Sequence, residues 1–215
     1  MSSTFVHLRL HSEYSISDGM VRVKPLIAAI VESQMPAVAV SDNNNMFALV
    51  KFYNAAHQGG VKPIIACDVW VASKENVESI EDASPLVLIA RNEVGYRNLS
   101  ELLSRAYLEG QSLGRVTMQR SWLAEQSDGL IALSAAQHGD VGRALLAGKL
   151  DEAATLARAW MDIFPDSYYL ELHRTGRARE EEHIFQAVNL AIDLGLPVVA
   201  TNDVRFITQE EFEAH

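Results

Sequence analysis

Residues 5–19 read FVHLRLHSEYSISDG, in which an apolar run over residues 6–10 leads directly into His11 and a polar turn. Polar residues follow or close other apolar runs in the same way: Asp42 after residues 37–40, Asp68 within residues 63–71, Glu171 and His173 at the end of residues 168–173, and Asp203 after residues 197–201. In parallel α/β proteins, ligands and metal ions bind at the carboxyl ends of strands. The recurrence therefore predicts one site assembled from strands throughout the chain.

Short apolar runs alternate with helical patterns along the chain. The runs are nearly continuous in apolar residues, which is typical of strands covered on both faces; they span residues 6–10, 37–40, 64–71, 86–90, 130–134, 168–172 and 197–201. Apolar residues at helical spacing occupy residues 24–35, 45–57, 94–108, 150–164 and 179–194. This alternation predicts a parallel sheet with right-handed crossovers. An open doubly wound sheet and a closed barrel both fit it, and we favour an α/β barrel because a barrel brings all strand ends to one mouth.

Composition narrows the class of protein. The 215 residues, 48% of them hydrophobic, are enough to bury a large core, and we expect a single domain over residues 1–215. A net charge of −10 argues against sequence-independent binding to the phosphate backbone of nucleic acids. The lone Cys67 and the lack of a secretory signal or of a long apolar run predict a cytoplasmic protein without a membrane span. The chain stops at residues 211–215, inside what reads as a starting helix, so we expect a fragment of a longer protein.

Further motifs follow the opening one in order: AVAVSDNNNMFALVKFY (37–53), GVKPIIACDVWV (60–71), NEVGYRNLSELLSRAY (92–107), DGLIALSAAQHGDVGRALLAG (128–148), YYLELHRTGR (168–177) and LPVVATNDVRFI (196–207). Together they resemble the PHP (polymerase and histidinol phosphatase) domain, specifically the PHP domains at the amino end of bacterial replicative DNA polymerase III alpha subunits. The resemblance covers nearly the whole chain and implies a distorted seven-stranded (β/α)7 barrel. Active members of this family hold a cluster of metal ions and hydrolyse phosphoesters.

The chain departs from the family's ligand pattern at several positions. Arg9 and Arg205 stand where the family carries histidines, and arginine cannot deprotonate to serve as a ligand. Other ligand positions are changed as well: Asn43 replaces a histidine, Pro85 and Thr175 stand at two further histidine positions, and Ala136 replaces a cysteine. His11, Asp18 and Asp203 are unchanged, and Asp68 replaces a glutamate. Since metal affinity depends on ligand number and geometry, we expect no metal.

The resemblance thus implies a remnant pocket rather than a catalytic site. Its expected members are Arg9, His11, Asp18, Asp42, Asn43, Asp68, Glu171, His173, Asp203 and Arg205. We expect Arg9 and Arg205 to pair with the surviving carboxylates, so that guanidinium charge replaces metal charge. If an ion is retained, it is Zn²⁺ or Mn²⁺, and its candidate ligands are His11, Asp18, Asp68 and Asp203.

Two functions of different classes follow from the resemblance, and the sequence leaves both open. The first is a metal-free scaffold that stabilises the polymerase and docks its epsilon proofreading exonuclease. The second is a residual metal-dependent phosphoesterase, acting as a 3′–5′ exonuclease or on pyrophosphate. A free-standing phosphatase fits the motifs less well. The implied partners are the rest of the alpha subunit, the exonuclease and, through the holoenzyme, DNA. The Mg²⁺-dependent polymerase residues of such proteins lie downstream, so we do not expect this chain itself to polymerise.

Several polar residues also have ordinary structural interpretations. Asp42 is as suited to capping the following helix as to a role in a site. His57, His138 and His183 fall on predicted helices or loops, where we expect them to be solvated. Residues 180–182, three glutamates, read as a solvated helix start. The polar segments 73–84 and 110–120 read as surface excursions.

Overall fold

A computed structural model of the chain describes residues 5–72, 83–112, 115–208 and 210–211. Its strands are β1 (Ala37–Asn43), β2 (Lys62–Ala72), β3 (Ala83–Ala90), β4 (Gln111–Ser112), β5 (Arg115–Val116), β6 (Met118–Gln119), β7 (Leu130–Leu133), β8 (Tyr168–His173) and β9 (Val198–Thr201). Its α-helices are α1 (Val23–Glu32), α2 (Leu49–Gln58), α3 (Glu93–Glu109), α4 (Arg120–Glu125), α5 (Asp140–Leu146), α6 (Leu150–Ile163) and α7 (Glu180–Leu194). The predicted α/β fold class is confirmed, as are the five predicted helices.

One sheet contains seven of the strands, in the order β1-β2-β3-β7-β8-β9, with β6 paired to β2. β1 and β2 are parallel in a register that opposes Asn43 to Asp68, and β7 and β8 are also parallel. The prediction of a wholly parallel sheet is wrong, since β3 and β7 are antiparallel. The reason lies in their connection. Between β3 and β7 the chain forms α3, the short strands β4, β5 and β6, and α4, so the link is not a simple β-α-β crossover.

The chain divides into two compact units, of which the first comprises Met1–Asp68 and Thr201–His215. Its core packs α1 and α2 against β1 through side chains such as Leu26, Val38 and Phe52. The predicted strand at residues 6–10 lies along β1, where Ala39 N donates to His7 O and Ser41 N to Leu10 O, each at 2.8 Å. It forms only isolated bridges rather than a continuous strand.

The second unit, Val69–Ala200, is built on β3, β7 and β8 with α3 to α7. Asn92 caps the start of α3, because its Oδ1 accepts a hydrogen bond from Gly95 N at 3.0 Å. Backbones approach closely here, because a Cβ at Gly95 would lie 1.8 Å from the carbonyl oxygen of Gly129. Two glycines are therefore needed where α3 meets the start of β7.

Short elements account for most of what the sequence reading missed. The helices α4 and α5 were not predicted, since six and seven residues are too few to show a clear period. The predicted excursion at 110–120 contains β4, β5 and β6, and Val116 and Met118 are buried. Most of the predicted excursion at 73–84 lies outside the described residues. Within the described parts of the chain, no helix combines the length and apolar character needed to cross a membrane.

Candidate functional site

The centre of the site is an ion pair between Arg9 and Asp68. Arg9 Nε donates to Asp68 Oδ2 at 2.8 Å, and Arg9 Nη2 lies 2.6 Å from the same oxygen. Both side chains are almost fully removed from water. His11 joins them, with Nε2 at 3.3 Å from Asp68 Oδ2 and 3.5 Å from Asp203 Oδ1. The alternation of an extended backbone explains the arrangement, because Arg9 and His11 are two residues apart and share a face.

A second arginine occupies the neighbouring segment. Leu10 and Val204 form a parallel bridge, which places residues 203 and 205 beside residues 9 and 11. Arg205 Nε donates to Asp203 Oδ2 at 3.1 Å, and its Nη1 donates to the backbone oxygen of Asp18 at 2.9 Å. Asn43 Nδ2 donates to Asp18 Oδ2 at 2.7 Å. The predicted pairing of both arginines with surviving carboxylates is therefore present.

Asp42 supports the turn that carries the site rather than capping α2. Its carboxylate accepts from Ser12 N and Ser12 Oγ, at 2.7 and 2.6 Å, and from Ser15 Oγ at 2.6 Å. Ser15 Oγ also lies 3.2 Å from His11 Nδ1. The helix-capping interpretation of Asp42 is wrong, since residue 48, an alanine, occupies the N-cap of α2. Asp42 instead fixes the 3₁₀ turn Glu13–Asp18 next to His11.

The arginines control the electrostatics of the buried carboxylates. Burial opposes ionisation of Asp68, but the charges of Arg9 and His11 outweigh it and hold the pKa of Asp68 below its ordinary value. Burial likewise opposes ionisation of Asp203, and the guanidiniums of Arg9 and Arg205 lower the pKa of that carboxyl well below its usual range. Both aspartates are thus ionised at neutral pH, and arginine is their counter-charge.

This donor set does not fit a metal cluster. The Asp68 oxygen that faces His11 already accepts from Arg9, and a permanent cation there repels any metal ion. Among residues 5–72, 83–112, 115–208 and 210–211, no group of three or more His, Cys, Asp or Glu side chains is placed to hold a metal ion. The expected candidates His11, Asp18, Asp68 and Asp203 do not form such a group.

Glu171 and His173, the other two predicted pocket residues, lie on β8 in the second unit. They are two residues apart on the strand, and His173 Nε2 lies 3.1 Å from Glu171 Oε1. Both are buried, and Glu171 N donates to Ser134 Oγ at 2.9 Å. Their side chains form a buried pair within β8, and the backbone N–H of Glu171 links β8 to Ser134 at the end of β7.

Sequence reasoning missed two buried residues of the second unit. His183, predicted to be solvated, is 3% exposed on α7, and burial together with His173 lowers the pKa of its imidazole to about 4. Glu180, predicted to be part of a solvated helix start, is buried. One of its oxygens, Oε2, accepts from the backbone N–H groups of Thr175, Gly176 and Arg177. The sequence offers one signal for this contact: Glu180 follows the Gly-containing loop 175–177 by three to five residues, close enough to accept hydrogen bonds from its backbone N–H groups.

Comparison with known families gives a clear result. The model of the PHP domain matches residues 7–175. The chain belongs to the PHP domain family. The match spans both compact units and includes the Arg9, His11 and Asp68 positions.

Relatives with similar sequences are polymerase subunits. The PHP chain is 53% identical to DNA polymerase III subunit alpha of Pseudomonas fluorescens over 215 residues, which is 100% of this chain and 18% of that protein. It is 46% identical over 211 residues to the corresponding subunit of Vibrio cholerae and 44% identical over 214 residues to that of Escherichia coli K12. In both cases the match covers 98% of this chain and 18% of the relative. The chain thus spans less than a fifth of these relatives.

Solved structures with the same fold have distant sequences. A protein described as a metal-dependent phosphoesterase from Bifidobacterium adolescentis superimposes with a TM-score of 0.58 at 12% identity, covering 95% of this chain and 88% of that one. An amidohydrolase from Chromobacterium violaceum gives a TM-score of 0.56 at 15% identity, covering 93% of this chain and 87% of that one. At these identities the likeness establishes the fold alone.

Proposed function

We propose that this PHP domain is the metal-free N-terminal scaffold of a bacterial replicative DNA polymerase alpha subunit. In this proposal it stabilises the polymerase and docks the proofreading exonuclease subunit in the cytoplasm. Polymerisation with Mg²⁺, and contact with DNA, belong to the remainder of the subunit and to the holoenzyme. The 53% identity over the whole of this chain supports a polymerase alpha subunit as the parent protein. The resemblance to the PHP domains of such subunits is the reason for naming the exonuclease as the partner.

One observation carries the scaffold assignment: Arg9 donates to Asp68 within the cluster that also contains His11 and Asp203. A guanidinium supplies fixed charge and directional hydrogen bonds, but it offers no open coordination position for a water nucleophile. Arg205 does the same for Asp203 and Asp18. The cluster therefore has the chemistry of a structural ion network.

The alternative is a residual metal-dependent phosphoesterase. It has the proximity of His11, Asp68 and Asp203 in its favour, with ring-to-carboxylate distances of 3.3 and 3.5 Å. A metal ion on these residues requires Arg9 to leave Asp68, which leaves the buried guanidinium of Arg9 without its counter-ion. That requirement disfavours the alternative, because separating a buried pair costs on the order of 3–5 kcal/mol.

The test is binding of the purified exonuclease subunit to the 215-residue chain, measured by calorimetry with and without a chelator. We expect binding of the same strength in both conditions, and no hydrolysis of a phosphomonoester or of single-stranded DNA by the chain with Zn²⁺ or Mn²⁺. Binding that vanishes with chelator, or hydrolysis that Asp68→Asn abolishes, contradicts the proposal. Lack of any binding removes the docking role.

A further inference from the structure

The outer side of α2 exposes three large apolar residues to solvent. Phe47, in the turn before the helix, is 71% exposed, Val50 is 72% exposed and Tyr53 is 48% exposed. Their spacing of three residues places them along one side, while the opposite side buries Phe52 and Ala56 in the core. The solvent side of α2 also carries the polar residues Asn54 and His57, so its three large apolar side chains form a cluster rather than a wholly apolar side. We call Phe47, Val50 and Tyr53 the α2 outer face.

The turn Glu13–Asp18 adjoins the start of this helix and adds a further exposed apolar residue. Asn45 Nδ2 donates to Tyr14 O at 3.1 Å, and Lys51 Nζ donates to Glu13 Oε1 at 2.8 Å, so the turn and the helix are tied together. Ile16 at the tip of the turn is 87% exposed. Its φ of 57° is strained for a β-branched residue. Backbone strain at an exposed apolar residue is typical of a site that contacts another molecule or domain.

Charge separates this face from the other exposed apolar residues. Residues 43–60 contain no Asp or Glu, although the chain has 28 of them. By contrast, Phe185 and Ile192 on α7 share their helix with Glu181, Glu182 and Asp193. Single exposed apolar residues among charges are ordinary, whereas several large apolar residues exposed together on a helix without carboxylates are typical of an interaction surface.

We propose that the α2 outer face, with Ile16, docks the part of the polymerase chain that lies beyond residue 215. This rests on the proposed function. The occupant follows from length: a stretch matching this chain makes up only 18% of the Pseudomonas fluorescens subunit, so in such a protein most of the chain lies outside this domain. Domains within one chain bury surface against each other, and an apolar face without carboxylates suits that contact.

The test is thiol labelling of the full-length polymerase subunit, read by mass spectrometry on the peptide that carries residue 47 or 50. The Phe47→Cys and Val50→Cys variants place a thiol on the face, and Ser33→Cys, at an exposed position after α1, is the matched control. Cys67 is buried and gives a low background. Rates are normalised to those of the urea-unfolded subunit.

We expect the thiols at positions 47 and 50 to react at least about tenfold more slowly than the thiol at position 33. The reagent can reach the first two thiols only after the docked part of the chain has separated from the α2 outer face. Equal rates at all three positions overturn the docking proposal. Protection that appears only after the exonuclease subunit is added also overturns it, since the occupant is then the exonuclease. Neither result alters metal content or exonuclease affinity, which test the proposed function separately.

Discussion

Arg9 and Asp68 form an ion pair whose side chains are only 5% and 3% exposed. Their attraction offsets a large desolvation penalty, so the pair contributes little as a whole but is expensive to break. Removing one partner leaves an uncompensated buried charge. The pair therefore explains how a depleted ligand set can remain folded without ions.

We predict that Arg9→Met lowers the free energy of unfolding by about 3–5 kcal/mol, because Asp68 is then buried without its cation. The matched control is Lys51→Met, which breaks a pair with Glu13 whose side chains are 47% and 35% exposed. That control should have little effect on the free energy of unfolding, because water screens the exposed pair. Urea denaturation measures both. Similar losses in the two variants would show that Arg9 has no special role.

Acid should destabilise the domain in two separate pH ranges. The pKa of His183 is about 4 in the folded state and 6.5 ordinarily, so between these values the unfolded chain binds a proton that the folded chain does not. Stability therefore falls by roughly 3 kcal/mol as the pH drops from about 6.5 to 4. Asp68 and Asp203 have lowered folded pKa values, and their contribution is lost only below about pH 4.

The measurement is the urea midpoint as a function of pH. His183→Gln should flatten the profile between about pH 6.5 and 4, while His57→Gln, on the exposed side of α2, controls for the loss of an imidazole. The groups that act on His183 are Glu171, His173, His138 and Glu180. An unchanged slope in His183→Gln would show that His183 is not the source of the acid sensitivity.

Among the structural elements, the loop between β8 and α7 is organised by one side chain. Glu180 accepts from the backbone N–H groups of Thr175, Gly176 and Arg177, and from the hydroxyl of Thr175 at 2.6 Å. These donors form a small anion nest, and Glu180 fills it. The loop conformation therefore depends on a residue of the helix that follows.

We predict that Glu180→Ala lowers the free energy of unfolding by about 2–4 kcal/mol, since several charge-assisted hydrogen bonds are lost. Glu181→Ala is the matched control, because Glu181 pairs with Arg174 where both side chains are about 70% exposed. Its loss should have little effect on the free energy of unfolding, because water screens the exposed pair. Thermal and urea unfolding compare the two variants, and equal effects would exclude a special role for the nest.

The elements differ in how readily the sequence predicts them. Long helices and buried strands are predictable because α3 and β2 carry clear periods or apolar runs. The antiparallel β3–β7 junction is not, because β6 and α4 are too short to show a pattern. Arg9 and Arg205 can be paired with carboxylates from the motifs alone. His183 cannot be placed, since its burial depends on how α7 packs against β8 and not on its own neighbours in sequence.

At the scale of the whole molecule, the chain has the fold of the PHP domain family, and two arginines occupy its carboxylate and imidazole cluster. The chain spans only 18% of the length of DNA polymerase III subunit alpha of Pseudomonas fluorescens. The proposed scaffold role needs a folded domain and an available surface, and it needs no chemistry at the cluster. The ion network keeps the buried carboxylates paired without metal, and the α2 outer face is the surface proposed for docking.

The most direct test of this account is the metal content of the purified chain by elemental mass spectrometry, after exposure to Zn²⁺ and Mn²⁺ and thorough dialysis. The account predicts near-zero retention in the native sequence. It also predicts retained metal in an Arg9→His, Asn43→His, Arg205→His variant, in which imidazoles return to the cluster. Stoichiometric retention of two or more ions by the native chain would contradict the account and make the phosphoesterase alternative the leading one.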